Sequence, residues 1–321
     1  MKRLLLILFV FSVVGAGGAA WWLNGLLKTE VAADGCLVWS GESDIEPTWE
    51  AAEVTGWEAC REWMSLRGYE MKPGRFCPTE GETVRSFARR LAIGGKSEVR
   101  VVVPAHRDPG VIAAAIARPL RLDSATVHEA LIEDSVLWRL VPNTYRMYWS
   151  TSSEELVERL QTEYESWWTP ARRKLAQDAG MTPHEVVTLA AIVQEEIAVR
   201  SEAPRVAGLY RNRLRRGMKL QADPTLKFAL GNWDVRRLLD RDKNVASPYN
   251  TYMHAGLPPG PIRIPEPDIV DAVLNAEDHD YIFMCARPDG SGTHAFARNY
   301  NEHLQNARNY TNWLNAQRIF R

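Results

Sequence analysis

The sequence predicts an α+β protein in three parts: an N-terminal transmembrane helix, a small α/β region, and a larger mixed α+β domain. Three observations predict it. The first is an uncharged apolar run from Leu4 to Leu23. The second is an alternation of short β-branched runs with capped helical patterns behind it. The third is a pair of helix-period patterns between Ser153 and Ile197, followed by loops rich in Gly and Pro such as Gly256-Leu257-Pro258-Pro259-Gly260.

Length and composition frame these elements. A chain of 321 residues holds one anchor and two or so folded units. Apolar content of 45% and charged content of 25% are those of a globular protein with a packed core. A formal net charge of −1 argues against a nucleic-acid binder, which carries a basic face. A neutral carbohydrate or a polymer of mixed charge fits better.

The run Leu4–Leu23 is long enough to cross a hydrocarbon core of about 30 Å at about 1.5 Å per residue. Its transmembrane helix is expected over residues 4–24, after a cytoplasmic tip at residues 1–3. Lys2 and Arg3 keep that tip inside by the positive-inside rule, and Trp21 and Trp22 sit where an interfacial aromatic pair belongs. The rival is a cleaved signal peptide, since Ala16–Ala20 supplies the small residues a peptidase needs. The Trp pair extends the apolar segment past those residues and favours the uncleaved anchor. On either reading, everything after about residue 28 lies outside the cytoplasm.

Cys36, Cys60 and Cys77 lie in the N-terminal third and Cys285 far from them. A disulfide among the first three suits that compartment, and its pairing stays open. With no CxxC and no Cys/His cluster, neither a metal nor a cofactor is expected.

Two similar stretches follow the linker Ala32-Ala33-Asp34-Gly35. Leu37-Val38-Trp39 leads through Gly41-Glu42-Ser43 into a helical pattern over Ile45–Ala52, and Phe76-Cys77-Pro78 leads through Gly81-Glu82-Thr83 into one over Val84–Leu91. Ser43 and Thr83 are the candidate N-caps. A repeat of about 40 residues follows from that pattern. Val99–Val103 reads as a buried strand. Ile112–Ala117 and Val127–Ile132 read as helices separated by Pro119. The stretch Gly81-Glu82-Thr83-Val84, with Phe87-Ala88 after it, resembles the opening of a LysM wall-binding module. The resemblance implies a LysM-like region at 33–136, as one module or two in tandem; a structural spacer is the alternative.

Further on, Ser153–Ala176 reads as one long amphipathic helix. Leu156, Leu160, Tyr164 and Trp167 form its core-facing stripe. A second helix starts behind Thr182, with Pro183 in its first turn and Glu185 completing a capping box. It ends in Gln194-Glu195-Glu196-Ile197. Neighbouring residues on a helix point about 100° apart, so Glu195 and Glu196 do not share a cleft. With Val193 at the centre of the apolar face, Glu196 falls about 60° to one side and Glu195 almost opposite, toward solvent. Glu196 is thus a carboxylate flanking a buried stripe. Burial raises a carboxyl pKa and suits it to act as a general acid. The rival is a structural Glu paired with Arg200, Arg211 or Arg213.

The ordered motifs around this helix resolve that choice. They run from Pro142-Asn143-Thr144-Tyr145 through Leu189–Glu196 and Arg205–Leu214 to Gly217–Thr225, Ser247–Tyr252, Gly256–Ile262 and Gly292–Phe296. Together they resemble the YceG-like (MltG) endolytic murein transglycosylase family over roughly residues 137–310, which sets the second domain at 137–321. The family's catalytic glutamate falls on Glu196. Two departures stand out: Gln194 where the family often has an acid, and neutral Asn143 in the Pro-x-Thr-Tyr motif.

The resemblance implies a lyase of bacterial cell wall biogenesis that cuts peptidoglycan glycan strands, held in the inner membrane by one span with its catalytic domain on the periplasmic side. It implies penicillin-binding proteins or other wall-synthesis proteins as partners. Glu196 would protonate the β-1,4 glycosidic oxygen between N-acetylmuramic acid and N-acetylglucosamine, and the muramyl C6 hydroxyl would close a 1,6-anhydro end. Gln221, Asp223, Tyr249, Asn250, Tyr252 and His294 are the candidate substrate-binding residues. Each has a plainer role open to it: Asp223 before Pro224 as a turn former, Asn250 bonding its own backbone, His294 as a structural histidine. His303 reads as structural. Two other functions remain: a hydrolytic muramidase with Asp223 or Glu202 as second carboxylate, and a non-enzymatic wall-binding scaffold.

Overall fold

The computed structural model describes residues 24–317 apart from 26, 40, 42–45, 95–97, 134–135, 234, 236 and 237. The apolar run Leu4–Leu23 and the candidate cap Ser43 lie outside the described residues. Among those described, no helix is long and apolar enough to cross a membrane. The chain divides into two compact units. One gathers the residues up to Arg100 with 119–121 and 146–151; the other takes 101–118, 122–145 and 152 onward.

In the first unit, strands β1 (Ala32–Ala33) and β4 (Val54–Thr55) pair antiparallel. Strand β2 (Leu37–Trp39) is the middle of a three-stranded sheet, between β3 (Thr48–Trp49) and β5 (Gly74–Phe76). Helices α1 (Trp57–Arg67) and α2 (Val84–Ile93) pack on each other. Their apolar faces and the strands bury Leu37, Cys60, Phe76, Phe87 and Leu91. The register opposes Leu37 to Phe76, and the residues just outside that pair, Cys36 and Cys77, form a disulfide. Cys60 remains a buried free thiol.

The capped helix behind Thr83 is present: its hydroxyl accepts from the Ser86 N–H at 3.4 Å. Over its described residues, 46–52, the helix expected from Ile45 to Ala52 is not. Pro47 interrupts that pattern, because it lacks an N–H and restricts the residue before it, and Thr48–Trp49 is a strand instead. The helix starts only at Trp57, after Gly56 turns the chain in a left-handed conformation (φ 75°). The two similar stretches contribute β2 and β5 to one sheet, in which β2 also pairs with β3.

Strand β6 (Glu98–Val103) is not buried on both faces as its apolar run suggested. Val101 and Val103 are buried while Val102 is exposed, the alternation of a half-covered strand. Helices α3 (Pro109–Leu120) and α4 (Ser124–Glu133) follow. Pro119 lies within the last turn of α3 and not between the helices. Strand β7 (Asn143–Tyr148) pairs with β6.

The helix expected over Ser153–Ala176 divides into α5 (Ser153–Trp167) and α6 (Pro170–Asp178). Pro170 forces the break and opens α6, and Thr169 caps it with a bond from the Arg172 N–H. Of the expected stripe, Leu156, Leu160 and Tyr164 are buried, whereas Trp167 is only partly buried, with the Arg172 guanidinium 4.0 Å from its ring centre, and its neighbour Trp168 is buried instead. Helix α7 (Pro183–Glu196) begins with the capping box, Thr182 accepting from Glu185 N–H at 3.3 Å and donating its own N–H to Glu185 Oε2 at 2.7 Å. Its residues Val186–Val193 are buried on every side. Around it pack α8 (Ala203–Arg215), α9 (Asp223–Ala229) and α10 (Pro267–Leu274). On α8, Gly208 lets the backbone approach Glu277 and His279; a Cβ there would lie 2.3 Å from the Glu277 carbonyl oxygen. Hairpin β8 (Phe283–Ala286) with β9 (His294–Ala297) and the long helix α11 (Tyr300–Ala316) complete this unit.

Candidate active site

Glu196 is the last residue of α7, and the chain leaves the helix through Ile197 in an extended conformation. Its carboxyl sits in a cleft of about 230 Å³, where the Tyr210 hydroxyl donates to Oε1 at 3.2 Å. Burial first, and the negative charge of Asp223 second, push its pKa up to about 7, against the opposing pull of the Tyr210 hydrogen bond, Arg213 and Lys227. The C-terminal end of a helix acts in the same direction, since its free carbonyls disfavour an added negative charge. A carboxyl so placed holds a transferable proton near neutral pH.

Two side chains from α8 build the wall behind it. Tyr210 and Arg213, three residues apart on one helical face, both line the cleft. The buried Arg213 guanidinium donates to three backbone carbonyls: Ile282 at 2.6 Å, Leu220 at 2.7 Å and Lys219 at 3.3 Å. One cation thereby ties Ile282, just before strand β8, and the 219–220 loop to α8.

A short loop and the start of α9 form the next wall. Gln221 adopts φ 50°, a left-handed conformation unusual for a residue with a side chain. It is held by its N–H donating to Thr251 O at 3.1 Å, while the next N–H, of Ala222, donates to Thr251 Oγ1 at 3.0 Å. Asp223 opens α9, where the helix dipole suits an acidic residue. The Tyr252 hydroxyl donates to its Oδ1 at 2.5 Å. The hairpin closes the cleft with Cys285 and His294. Glu202 grips His294 twice, accepting its N–H at 2.9 Å and lying 3.0 Å from Nδ1.

Of the residues named from sequence, Glu196, Gln221, Asp223, Tyr252 and His294 therefore meet in one cleft. Tyr249 and Asn250 do not line it. Asn250 is fully buried: its Nδ2 donates to the carbonyls of Lys243 and Val245, both at 2.9 Å, and its Oδ1 accepts from Tyr252 N–H at 3.0 Å. It shapes the loop that carries Tyr252. Tyr249 packs its ring 4.6 Å from that of Phe228. His303 stacks on Phe283.

Glu195 does point away from the cleft, but not into solvent. It is 13% exposed and pairs with Arg263 at 2.6 Å, with Arg107 at 3.9 Å. A wet side of α7 would send Glu195 to solvent, but the apolar run is covered all round, so Glu195 leaves it into an ion pair and Glu196 into the cleft. Tyr210 is not among the residues named from sequence, and Arg213 is named there only as an ion-pair partner of a structural Glu196. Their three-residue spacing in Tyr210-Arg211-Asn212-Arg213 is the signal that places them on one face. Among the described residues, no group of three or more His, Cys, Asp or Glu is arranged to hold a metal ion.

Three comparisons bear on this arrangement. The YceG-like family model matches residues 40–309. A protein of Bacillus subtilis strain 168 described as an endolytic murein transglycosylase is 28% identical over 167 residues, 52% of this chain and 45% of that protein. One of the same description from Streptococcus pneumoniae serotype 2 strain D39 is 28% identical over 211 residues, 64% of this chain and 38% of that one. The chain thus spans less than half the length of these relatives. The crystal structure of a yceG-like protein of Listeria monocytogenes superposes with a TM-score of 0.54 at 22% identity, over 77% of this chain and 89% of that one, a likeness of fold. With a match over most of its length, the chain belongs to the YceG-like family.

Proposed function

We propose that this protein is an endolytic lytic transglycosylase of peptidoglycan, with Glu196 as its single catalytic acid and base. The observation that carries the reading is a carboxyl raised to about 7 at the base of a cleft, on the family's glutamate motif. Glu196 protonates the β-1,4 oxygen between N-acetylmuramic acid and N-acetylglucosamine, and the C1–O bond breaks. The muramyl C6 hydroxyl then attacks C1 and returns its proton to Glu196, so no water is consumed. A tethered hydroxyl outcompetes bulk water because its effective concentration is far higher. Tyr210 orients the carboxyl, and Gln221, Asp223, Tyr252 and His294 hold the sugars. We further propose that Leu4–Leu23 anchors the protein in the inner membrane as a single span, facing the cleft toward nascent strands on the periplasmic side beside the proteins that synthesise them.

A second reading, a hydrolytic muramidase, is favoured by one feature: Asp223 lines the same cleft and could direct a water, as two-carboxylate glycosidases do. Glu202 is a weaker second acid, since both its oxygens are engaged by His294. Mass spectrometry of fragments released from uncrosslinked strands separates the readings. Ends of 1,6-anhydro-N-acetylmuramic acid, lighter by one water than reducing ends, are expected. Mainly reducing ends would transfer the assignment to the muramidase, and no fragments from folded protein would leave a wall-binding scaffold.

A further inference from the structure

A second, polar cleft of about 470 Å³ adjoins the catalytic one, and His294 lines both. Its chemistry differs. The catalytic cleft holds two carboxylates, Glu196 and Asp223; the second presents guanidinium groups against an aromatic wall. Tyr281 and Phe296 form that wall with ring centres 5.6 Å apart. The Arg205 guanidinium lies 5.7 Å from the Phe296 ring centre while its Nε is bound by Glu277 at 2.9 Å. Arg287 also lines this cleft, and its side chain has no ion-pair partner among the described residues. Asp289 attracts it electrostatically without forming an ion pair, and turns its Oδ1 to the hydroxyl and N–H of Ser291 at 2.6 and 2.9 Å. The acid on the cleft wall, Glu202, is committed to His294. A guanidinium held in no ion pair, beside an aromatic wall, is a receptor for a carboxylate carried on a short organic chain.

We propose that this second cleft binds a carboxylate of the peptide that hangs from the muramyl sugar, with Arg287 as the specificity-determining residue. The inference rests on the transglycosylase reading for its substrate. Sugar in the first cleft and its attached peptide in the second account for a shared wall at His294 with a change of charge across it. A neutral glycan alone has no use for the basic wall, since uncharged hydroxyls gain little from a guanidinium over water.

The test uses the full chain and uncrosslinked glycan strands in three forms: peptide-bearing, peptide-stripped, and peptide-bearing with the peptide carboxylates amidated. For Arg287→Ala, KM on peptide-bearing strands is expected to rise about tenfold with kcat little changed, the usual scale for losing one charge-assisted pair. On stripped or amidated strands the variant should match the parent. Arg287→Lys should restore most of the difference. Equal losses on stripped strands would overturn the inference in favour of a sugar subsite, and no loss on any strand would overturn it outright. Binding of a soluble peptide-bearing disaccharide and its amidated form to Glu196→Gln decides the same point without turnover. If the parent cuts nothing, the transglycosylase reading falls, and this binding comparison still supports or overturns the carboxylate site.

Discussion

The two compact units are stabilised by different means. The N-terminal unit has a small core, strands of two and three residues, and a disulfide joining the neighbours of its central Leu37–Phe76 pair. Short strands bury little apolar surface, and a cross-link compensates by restricting the unfolded chain. The C-terminal unit is built instead around one helix, α7, whose residues from Val186 to Val193 are wrapped on all sides. That packing allows it to end the helix on a carboxyl in an unfavourable setting. The difference teaches that the candidate site is supported by packing density, and that the disulfide serves the other unit.

Four variants break or sharpen that contrast, beginning with the largest effect. Glu196→Gln should lower cleavage by about 10²–10⁴-fold, the range for loss of a general acid, measured as fragment release. The same change should stabilise the fold at higher pH. With its pKa raised from 4.5 to about 7, the carboxyl contributes stability below about 4.5 and loses it as pH climbs through 7. The neutral amide of the variant has no such dependence, so the melting temperatures of parent and variant should converge at low pH. Above pH 7 the variant should gain on the order of 1–3 kcal/mol, reduced from the full shift because the cleft opens to solvent. A variant less stable than the parent at pH 8 would contradict the strained-carboxyl account.

Replacing Cys36 and Cys77 by Ser comes next. Opening a cross-link between residues 41 apart should cost the N-terminal unit about 4 kcal/mol. Calorimetry should then resolve an earlier transition for that unit, while the unit holding the cleft melts as before. A single transition moving as a whole would mean that the two units unfold together.

Glu195→Gln separates the two adjacent glutamates. It removes a charge from a largely buried pair with Arg263 but leaves an amide that still accepts a hydrogen bond, so about 1–2 kcal/mol of stability should be lost by chemical denaturation. Turnover should stay within a few-fold of the parent, because the side chain faces away from the cleft. Loss of activity comparable to that of Glu196→Gln would reverse the assignment.

The smallest effect is electrostatic. Asp223 raises the Glu196 pKa, so Asp223→Asn should shift the alkaline limb of the rate profile to lower pH by less than about one unit. A shift to higher pH would show that Asp223 is not acting as a negative neighbour.

Local chemistry was legible wherever one or two residues decide the outcome. The capping box at Thr182 and Glu185, the cap at Thr83 and the distinct directions of Glu195 and Glu196 follow from side-chain reach and helix rotation alone. Errors arose where a pattern was read through a proline. Pro47 and Pro170 each ended a periodic run that hydrophobicity alone would carry on, although both were visible in the sequence. The strand β6 and the surroundings of Glu195 failed for another reason. An apolar run does not say how many of its faces will be covered, since covering comes from segments far away in the chain.

By itself the sequence determined the helix carrying the acid, the motifs that assemble near it, and Cys36, Cys60 and Cys77 as the cysteines available for pairing in the N-terminal third. Tertiary structure alone decided that Cys36 joins Cys77, because β2 must pair with β5 before the two thiols become neighbours. It alone separated Tyr252, which reaches Asp223 in the cleft, from Asn250, which disappears into its own loop. It also set the proton affinity of Glu196. A pKa depends on the water excluded and the charges gathered around a group, and those are supplied by residues 14 to 27 positions further along the chain, Tyr210 and Asp223.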